Sequence, residues 1–523
     1  MKKLVSLFRP FYQKYHWMVL CYVLLTVVHK ILNFFMPQAL EGLIDAAVGK
    51  ESDLFLQLLI YNGNLLFLFI LALFFRSYLQ GVTESNVCAV ENERVLSDML
   101  RIPFLELKGK TLGHYLHFIE SDINKVSGLA FYDITVLVSN VIMTGFMLVY
   151  LIRADWILSI VVILIIPLSC IATKIMLPRI SKTENEVIAQ SEELNNLADT
   201  FYTGNDSIKA SNAQSFFKKQ MSTVIQKFRI AKIKYAKEEA IYDILFVTGF
   251  MNIANMLIYC IGGFRVIQGG MSIGVVNTFT LYFSSLWNSV DGIMDMIKQY
   301  KVKKLSVQRL MDFHELAEAT FENAGEELEA FEKLEVEGIS VVYEEKKLMS
   351  GCTLTVNKGE KVLIVGDNGS GKTTLARVLA KLIVPQQGRI KYNGTDYVQI
   401  GTEMLRKHIR LVPAEMFITE GDFTSNLWEG VNRIPEPKEF SGRRIKKGGS
   451  NLSSGQKKII QLLRALATNA DVYIFDEPFN YLDETTKELI WKEILVRFSD
   501  KTIIVISHDL YPAKDCTRMI NLR

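Results

Sequence analysis

The stretch GDNGSGKT, Gly366 to Thr373, has the glycine, lysine and threonine spacing of a phosphate-binding loop. It follows the apolar run KVLIV and precedes the helical pattern TLARVLAKLI, which is the strand–loop–helix context that this motif requires. Glycines let backbone N–H groups turn toward phosphate oxygens, and the N-terminus of the helix adds partial positive charge. We therefore predict a nucleotide site, with Lys372 at the outer phosphates and the hydroxyl of Thr373 on Mg²⁺. The predicted nucleotide-binding residues of the loop are Gly366, Asn368, Gly369, Ser370, Gly371, Lys372, Thr373 and Thr374.

A second apolar run, VYIF, ends in two carboxylates, Asp476 and Glu477. Four apolar residues place these acids at the C-terminal edge of a buried strand, where ligands of parallel sheets gather. We predict that Asp476 holds Mg²⁺ through water and that Glu477 polarises the attacking water as a general base. His508 follows another strand, TIIVIS, 31 residues beyond Glu477. Tyr343 lies 23 residues before Gly366, where an aromatic ring can stack on adenine or, alternatively, pack in the core.

The elements that must position these residues are short apolar runs alternating with helical patterns. Runs such as KVLIVG, IRLVP and KTIIVISHD are bounded by turn residues, which is typical of a parallel sheet covered by helices. The region 333–523 is therefore predicted to be an α/β P-loop ATPase domain. A polar, acidic linker over 316–332 precedes it, and 1–315 is predicted to be a separate domain of different chemistry.

The N-terminal part contains long apolar runs, and roughly 20 apolar residues are needed to cross a bilayer as a helix. The predicted spans are 17–37, 54–80, 130–152, 156–178, 241–264 and 271–297. Lys and Arg concentrate in the N-terminal tail and in the charged segments 81–129 and 179–240. The positive-inside rule places those segments and both chain ends in the cytoplasm. We expect the helices to continue there as long rods, the alternative being independent soluble insertions.

Several spans carry polar residues that a lipid-facing helix would avoid. Ionisable groups at membrane depth are costly and usually face a bundle interior or a watery cavity. We predict a polar substrate path; alternatively, the polar residues pair with one another or lie nearer the cytoplasmic end. The predicted path residues are His29, Lys30, Asn33, Trp287, Asn288 and Asp291.

Composition limits the remaining classes of function. The 523 residues are 49% hydrophobic and carry a formal net charge of +3, so no nucleic-acid partner is predicted. The six cysteines are scattered without a C-x-x-C pair, which disfavours a disulfide framework or structural zinc. The N-terminus lacks a continuous apolar stretch with a cleavage site before the first span, so we expect an amphipathic surface helix and not a cleaved signal.

Taken together, the motifs resemble those of ABC transporters, specifically half-transporters of the exporter type, over nearly the whole chain. The segments RIPFLELKGKTLGHYLHFIESDINKV and TGNDSIKASNAQSFFKKQM resemble the two cytoplasmic segments of the family's membrane domain. In the ATPase half, Tyr343, the phosphate loop, LSSGQ at 452–456, IFDEP, NYLD at 480–483 and His508 stand in family order. The resemblance implies ATP and Mg²⁺ as cofactors, and a contact from His508 to the γ-phosphate.

LSSGQ resembles the family's signature, with Ser454 where glycine is commoner. In the family this helix N-terminus faces the γ-phosphate of ATP held by the opposite subunit, so the resemblance implies a dimer. The alternative is an ordinary serine-capped helix. The residues implied at this second nucleotide contact are Ser453, Ser454, Gly455, Gln456 and, across the same seam, Asp483.

Two departures from the family stand out. Ala414 occupies the position of a glutamine that in the family contacts Mg²⁺ and the membrane domain, and Glu415 beside it is a candidate substitute. Only about 25 residues separate Asn426 from Leu452, so the helical subdomain between them is expected to be trimmed.

We therefore expect a multi-pass protein of the cytoplasmic membrane that uses ATP to export a substrate by alternating access of a dimer. The polar, aromatic-rich path suits an amphipathic peptide or drug-like molecule; no protease domain precedes the first span, so leader cleavage is not expected. The expected partners are membrane lipid, the exported substrate and a second half-transporter, with a homodimer favoured. The alternatives are one half of a heterodimeric exporter or lipid flippase, or an ATP-gated channel or regulatory subunit with little turnover.

Overall fold

A computed structural model describes residues 2–110, 112–319, 328–343, 346–367, 369–428 and 434–522. The chain forms two compact units. The first comprises Met1–Arg94 and His117–Met311, and the second comprises Val95–Leu116 and Asp312–Arg523. The short segment Val95–Leu116 therefore belongs structurally with the ATPase half, although it lies within the first charged segment of the membrane half.

The first unit is built from long helices. Those of the N-terminal part of the chain are α1 (Lys2–Leu7), α2 (Arg9–Val48), α3 (Ser52–Met99), α4 (Phe104–Lys108), α5 (Leu112–His117), α6 (Ile123–Ser127), α7 (Tyr132–Ala154), α8 (Trp156–Thr203), α9 (Asn205–Ala210), α10 (Gln214–Ile241), α11 (Gly249–Ile267) and α12 (Ile273–Ala319). A π-helical turn, Tyr242–Thr248, joins α10 to α11, so that Gln214–Ile267 is continuous helix.

Five helices of the described ranges are long and apolar enough to cross a membrane: Arg9–Val48, Ser52–Met99, Tyr132–Ala154, Trp156–Thr203 and Gln214–Ile267. They coincide with the first five predicted spans. The sixth predicted span, 271–297, lies in α12, which is a continuous helix of 47 residues but is not among the five. Its polar residues, including Asp291 and Asp295, lower its hydropathy.

The predicted rods are present. α3 and α8 each have 48 residues, about 70 Å of helix at 1.5 Å per residue, against about 30 Å of hydrocarbon core. Beyond the apolar part, α8 and α10 are held side by side by ion pairs from Lys227 to Glu193 (3.1 Å) and from Lys234 to Glu186 (2.7 Å). In the second charged segment a helical hairpin that continues α8 thus replaces the alternative of an independent soluble insertion, whereas the first segment breaks into short helices after Met99.

The ATPase half contains two sheets. A parallel sheet has the order β6-β7-β8-β3-β9, and an antiparallel sheet has the order β2-β1-β4-β5. The strands are β1 (Lys333–Tyr343), β2 (Lys346–Asn357), β3 (Lys361–Gly366), β4 (Gln387–Tyr392), β5 (Thr395–Asp396), β6 (Ile409–Val412), β7 (Val472–Asp476), β8 (Thr502–Ile506) and β9 (Arg518–Leu522). The helices are α13 (Lys372–Leu379), α14 (Thr402–His408), α15 (Ser454–Leu466) and α16 (Glu484–Arg497).

The register of the parallel sheet decides where the site lies. Every residue of β7 and β8 is buried, and Asp476 pairs with Ile506 while Ile364 of β3 also pairs with Ile506. The C-terminal ends of the three strands therefore meet at one edge. In the trimmed region, the described residues 434–453 form turns and a short 3₁₀ helix instead of an α-helix, around buried Phe440 and Ile445.

Candidate functional site

The phosphate loop is shaped by glycines. Gly369 and Gly371 adopt φ values of +88° and +92°, a left-handed conformation that disfavours other residues. A Cβ at Gly371 would also lie 2.8 Å from the carbonyl oxygen of Leu348, so the loop is closely packed as well as turned. Gly371 is the residue before the first turn of α13, and the loop therefore leads directly into a helix N-terminus.

The polar atoms of this loop fit a polyphosphate. Lys372 is buried, and its Nζ donates to the carbonyls of Gly366 (2.7 Å) and Asp367 (2.8 Å) at the base of the loop. Ser370 Oγ is buried and has no hydrogen-bond partner among the described residues. An unpaired buried hydroxyl is costly, and an anionic oxygen in the loop would satisfy it. Asn368, also predicted to contact nucleotide, lies outside the described residues.

A magnesium ion has suitable donors beside the loop. Thr373 Oγ1 and Asp476 Oδ1 lie 3.4 Å apart, and Mg²⁺ prefers oxygen ligands, usually one or two carboxylates with substrate phosphates. Burial raises the pKa of Asp476, the hydrogen bond from Thr373 lowers it, and the neighbouring Glu477 raises it. A bound cation would stabilise the ionised carboxylate of Asp476 and so offset the cost of burying it. Within the described ranges, no cluster of three or more His, Cys, Asp or Glu could hold a metal unaided.

The predicted catalytic pair is brought together. His508 Nδ1 lies 2.8 Å from Glu477 Oε2. Glu477 follows β7 with a φ of +48°, uncommon for a residue with a side chain, and its N–H donates to the carbonyl of Ile506 on β8 (2.8 Å). This backbone turn directs Glu477 away from the strand, where it remains partly exposed beside a largely exposed His508. The pair can orient and deprotonate a water molecule at the edge of the loop.

The LSSGQ stretch forms the start of α15 as a capping box. Ser453 Oγ accepts from the N–H of Gln456 (3.2 Å), and Gln456 Oε1 accepts from the N–H of Ser453 (3.1 Å). Ser453 and Ser454 are exposed. A Cβ at Gly455 would lie 2.9 Å from the carbonyl oxygen of Tyr481, so a side chain there would push the two segments apart.

Asp483 caps the next helix in the same way. Its carboxylate accepts from the N–H and the hydroxyl of Thr486 at 2.9 and 2.8 Å. These bonds lower the pKa of Asp483, with the backbone bond from Thr486 the largest cause. Both predicted cross-subunit segments thus end at exposed, capped helix N-termini, and Gly455 places them side by side within one chain.

The loop after β6 contains Ala414, which is predicted to stand at the position of the family's glutamine. Gln461 of α15 donates from Nε2 to the carbonyls of Pro413 and Glu415, both at 2.8 Å. Glu415 in turn pairs with Lys108 of α4 at 3.1 Å and lies 3.8 Å from Arg377 of α13. The ring of Phe104 lies beneath the Arg377 guanidinium at 4.6 Å. The loop therefore joins α15 to α4 without a glutamine of its own.

Tyr343 is placed differently from the other predicted nucleotide contacts. It ends β1 and is half-buried, and a Cβ at Gly109 would overlap its hydroxyl. Its hydroxyl therefore lies against the chain just after α4. Stacking of its ring on adenine stays a prediction.

Lys458 is a residue that the motifs did not reveal. It is fully buried on α15, and its Nζ has no hydrogen-bond partner among the described residues. Burial lowers its pKa to about 8, against the opposing influence of Asp476 and Glu477. Helical periodicity could have indicated that Lys458 is buried, because Lys458, Leu462 and Ala465 recur on one buried face of α15.

The predicted substrate-path residues fall into two groups. Trp287 and Asp291 lie on α12 beside α8 and the π-helical turn, where they line adjoining hollows. On α2, Lys30 donates to Asn140 of α7 at 2.8 Å, and the ring of His29 stacks on Phe69. Asn33 is half-buried on α2 and Asn288 is exposed on α12. Only Trp287 and Asp291 of the six lie together at a described hollow.

Two family models match the chain. Residues 19–290 match the family described as "ABC transporter transmembrane region", and residues 349–480 match the family described as "ABC transporter". The chain is 28% identical over 411 residues to the "Lactococcin-A transport/processing ATP-binding protein LcnC" of Lactococcus lactis subsp. lactis, covering 75% of this chain and 56% of that protein. It is 23% identical to the "ATP-dependent lipid A-core flippase" of Desulfotalea psychrophila, covering 92% and 87% respectively.

The fold is also that of a solved exporter. A bacterial Atm1-family ABC exporter with ATP bound superposes with a TM-score of 0.82, 18% identity, and coverage of 98% of this chain and 94% of that one. The chain spans 41% to 56% of the length of the lactococcin and pediocin transport proteins that it matches.

Proposed function

Because this chain belongs to the ABC transporter family and joins an exporter-type membrane region to one ATP-binding cassette, we propose that it exports an amphipathic peptide or drug-like molecule as a dimer. Family membership makes it an ATP-binding, multi-pass membrane protein whose ATPase is coupled to transport. The finer proposal concerns the substrate, the dimer and the residues that act.

The observation that carries the proposal is the edge of the parallel sheet. There the phosphate loop, the Thr373–Asp476 pair and the Glu477–His508 pair lie at the ends of adjacent strands. Lys372 would bind the outer phosphates, and Thr373 and Asp476 would hold Mg²⁺, which offsets phosphate charge when bound. Glu477 would take a proton from the attacking water while His508 orients the carboxylate through its 2.8 Å contact.

The dimer is proposed from the exposed start of α15. The capping box does not use the N–H groups of Ser454 and Gly455, and a helix N-terminus favours negative charge. In this proposal Ser453, Ser454 and Gly455 of one subunit contact the γ-phosphate bound by the loop of the other, and Asp483 lies across the same seam. Closure of the two ATPase domains would draw the rods together and open the membrane cavity outward, with both chain ends in the cytoplasm.

The test is ATP hydrolysis by the full chain in lipid nanodiscs, with Glu477→Gln and the exposed control Glu493→Gln alongside. We expect activity in the wild type and control, and a loss of about 10²-fold or more in Glu477→Gln, the usual contribution of a general base. Equal activity in Glu477→Gln would refute its role. If all three proteins are inactive, the homodimer is refuted, and a co-purifying second half should be sought.

A lipid substrate is the second candidate, since the similar flippase covers more of both chains than the lactococcin transporter does. Transport assays in proteoliposomes distinguish peptide export from lipid flipping. ATP-dependent uptake of a fluorescent amphipathic peptide, absent in Glu477→Gln, supports peptide export. ATP-dependent loss of a fluorescent lipid from one leaflet, without peptide uptake, supports a flippase instead.

A further inference from the structure

Lys458 is a buried cation that the proposed mechanism does not use. Its side chain is fully buried on α15, and its Nζ has no hydrogen-bond partner among the described residues. A lysine is almost never fully buried unless its charge is paired, because an unpaired charge away from water is costly. The surroundings of this amine therefore decide whether its burial serves the site.

The neighbours of Lys458 on the same face of α15 locate its side chain. Gly455, one turn earlier, lies against the carbonyl oxygen of Tyr481, which a Cβ at Gly455 would approach to 2.9 Å. Gln461, one turn later, donates from Nε2 to the carbonyl of Pro413 at 2.8 Å. Residues three positions apart share one face of an α-helix. Lys458 therefore lies between the loop after β6 and the segment that follows β7.

The strands beneath this face end at the proposed catalytic acids. β6 and β7 run parallel, with Val412 paired to Phe475, so their carboxyl ends lie side by side. α15 packs on these two ends, because its buried Leu462 belongs to the same hydrophobic core as Val412 and Phe475. Asp476 is the last residue of β7, and Glu477 follows it. A side chain of α15 that faces the ends of both strands therefore faces these two carboxylates.

The electrostatics agree with this placement. Burial lowers the pKa of Lys458 to about 8, while the charges of Asp476 and Glu477 act in the opposite direction. Burial raises the pKa of Asp476, and the cations that oppose this effect are Arg377 and Lys458. Because pH 7 lies below the pKa of Lys458, most of the amine keeps its charge there.

Lys458 is also close to the start of α15. The helix begins at Ser454, so Lys458 lies four residues into it, about 6 Å along the axis at 1.5 Å per residue. The same helix end is the one proposed above to contact nucleotide held by the second subunit. An attraction between the amine and the carboxylates after β7 therefore acts on both the catalytic acids and this helix end.

From these observations we infer that Lys458 is a positioning residue for ATP hydrolysis: its charged amine attracts the carboxylates of Asp476 and Glu477 and so holds the acids and the start of α15 in a fixed arrangement. This inference rests on the proposed function, in which Glu477 is the general base, and adds a residue to it. Lys458 acts through the acids and does not touch the nucleotide. Its unpaired burial lowers the stability of the fold, a cost that an apolar side chain of the same length would avoid.

The first test measures ATP hydrolysis and melting of the full chain in lipid nanodiscs. We expect kcat to fall about tenfold in Lys458→Met, less than the loss of a general base itself, with little change in the KM for ATP. Lys458→Met should nevertheless melt higher than the wild type, so its loss of activity cannot be caused by unfolding. Lys458→Arg keeps the charge on a bulkier side chain, and it should melt lower than Lys458→Met but hydrolyse ATP faster. The control Lys457→Met, at the half-buried neighbouring lysine, should match the wild type in kcat.

The second test needs no turnover and uses the nucleotide-free protein. Glu477→Gln removes one of the two carboxylates that attract the amine, so the penalty for burying Lys458 should increase in that background. The gain in melting temperature from Lys458→Met should therefore be about 2–4 °C larger in Glu477→Gln than in the wild type. Glu493→Gln, an exposed acid on α16, is the control background and should leave the gain unchanged.

Three results would overturn the inference: a kcat in Lys458→Met equal to that of the wild type, a folded Lys458→Arg that is no more active than Lys458→Met, or an equal gain in melting temperature in all backgrounds. The proposed function fails on different results. Full activity in Glu477→Gln would refute the role of Glu477, and inactivity of every protein would refute the homodimer. In the latter case the melting test still decides whether the amine of Lys458 faces the acid.

Discussion

Replacing Lys458 by methionine should make the ATPase half more stable at neutral pH. Lys458 is fully buried on α15, no described residue accepts a hydrogen bond from its Nζ, and burial lowers its pKa from 10.5 to about 8. Since each pKa unit corresponds to 1.36 kcal/mol, the charged amine destabilises the folded state by about 3 kcal/mol. Methionine has similar length and no charge, so it removes this destabilisation.

The sign of the pH dependence follows from the same two values. In the unfolded chain Lys458 titrates near 10.5, and in the folded chain near 8. Between these values the unfolded chain binds more protons, so the free energy of unfolding of the wild type rises as the pH increases from 8 to 10.5. Below pH 8 both states carry the proton and the whole penalty persists. The advantage of Lys458→Met should therefore shrink from about 3 kcal/mol at pH 7 to about 1 kcal/mol at pH 9.5.

The assay is calorimetry of the full-length protein in nanodiscs at both pH values. The transition of the ATPase half is the one that moves up on addition of ATP, because a ligand that binds only the folded state stabilises it. For a domain of this size 1 kcal/mol corresponds to about 2–4 °C, so Lys458→Met should melt about 6–12 °C higher at pH 7. The matched control is Lys457→Met, the neighbouring lysine, which is only half-buried and should change little.

Two results would refute this reasoning. The first is an equal melting temperature for Lys458→Met and the wild type at pH 7. The second is a stabilisation that does not shrink between pH 7 and pH 9.5, since a gain from packing alone would not depend on pH. We also expect slower ATP hydrolysis in Lys458→Met, because the amine is the buried cation that offsets Asp476 and Glu477.

The remaining predictions concern α4 and α15. Lys108→Glu and Glu415→Lys should each reduce substrate-stimulated ATPase, and the double variant should recover part of it. Because the pair is exposed, the coupling energy in a double-mutant cycle should be only about 0.2–1 kcal/mol. If the effects of the two single variants simply add in the double variant, the pair has no role. Ser453→Ala should lower the melting temperature of the ATPase half by about 2–4 °C through loss of the cap, whereas Ser453→Thr should retain it. The ATPase activity of Ser453→Ala should be compared with the fraction of the protein that remains folded. If activity falls only as much as that fraction does, Ser453 acts purely as a structural cap.

What the sequence predicted well is local. The phosphate loop, the carboxylates after VYIF and the serine–glutamine spacing of the signature each depend on residues a few positions apart, and their geometry is that of a turn or a helix end. The meeting of Glu477 and His508 was also predictable, because both follow strands of one parallel sheet and such strands end at a common edge.

What the sequence did not predict depends on distant contacts. Lys108 and Glu415 are separated by 307 positions, and neither the segment that contains Lys108 nor the loop that contains Glu415 indicates the other residue as its partner. Lys458 looks like one of two surface lysines until the buried face of α15 is known. The hollow beside Trp287 and Asp291 also depends on distant contacts, since the π-helical turn brings Tyr242 against Thr173 of α8.

The substitution at Ala414 illustrates how a motif can be absent while its connection remains. A glutamine at this loop would have to fix the loop and reach α4 with one side chain. Here Gln461 fixes the loop by donating to the carbonyls on either side of Ala414, and Glu415 makes the contact to Lys108. Two residues, Gln461 and Glu415, therefore link the middle of α15 to α4. Among the described residues Glu415 is directed toward Lys108 and Arg377 and not toward Asp476, so Thr373 and Asp476 are the proposed protein ligands of Mg²⁺. Loss of either ligand should consequently weaken metal binding more here than in a chain that keeps the glutamine.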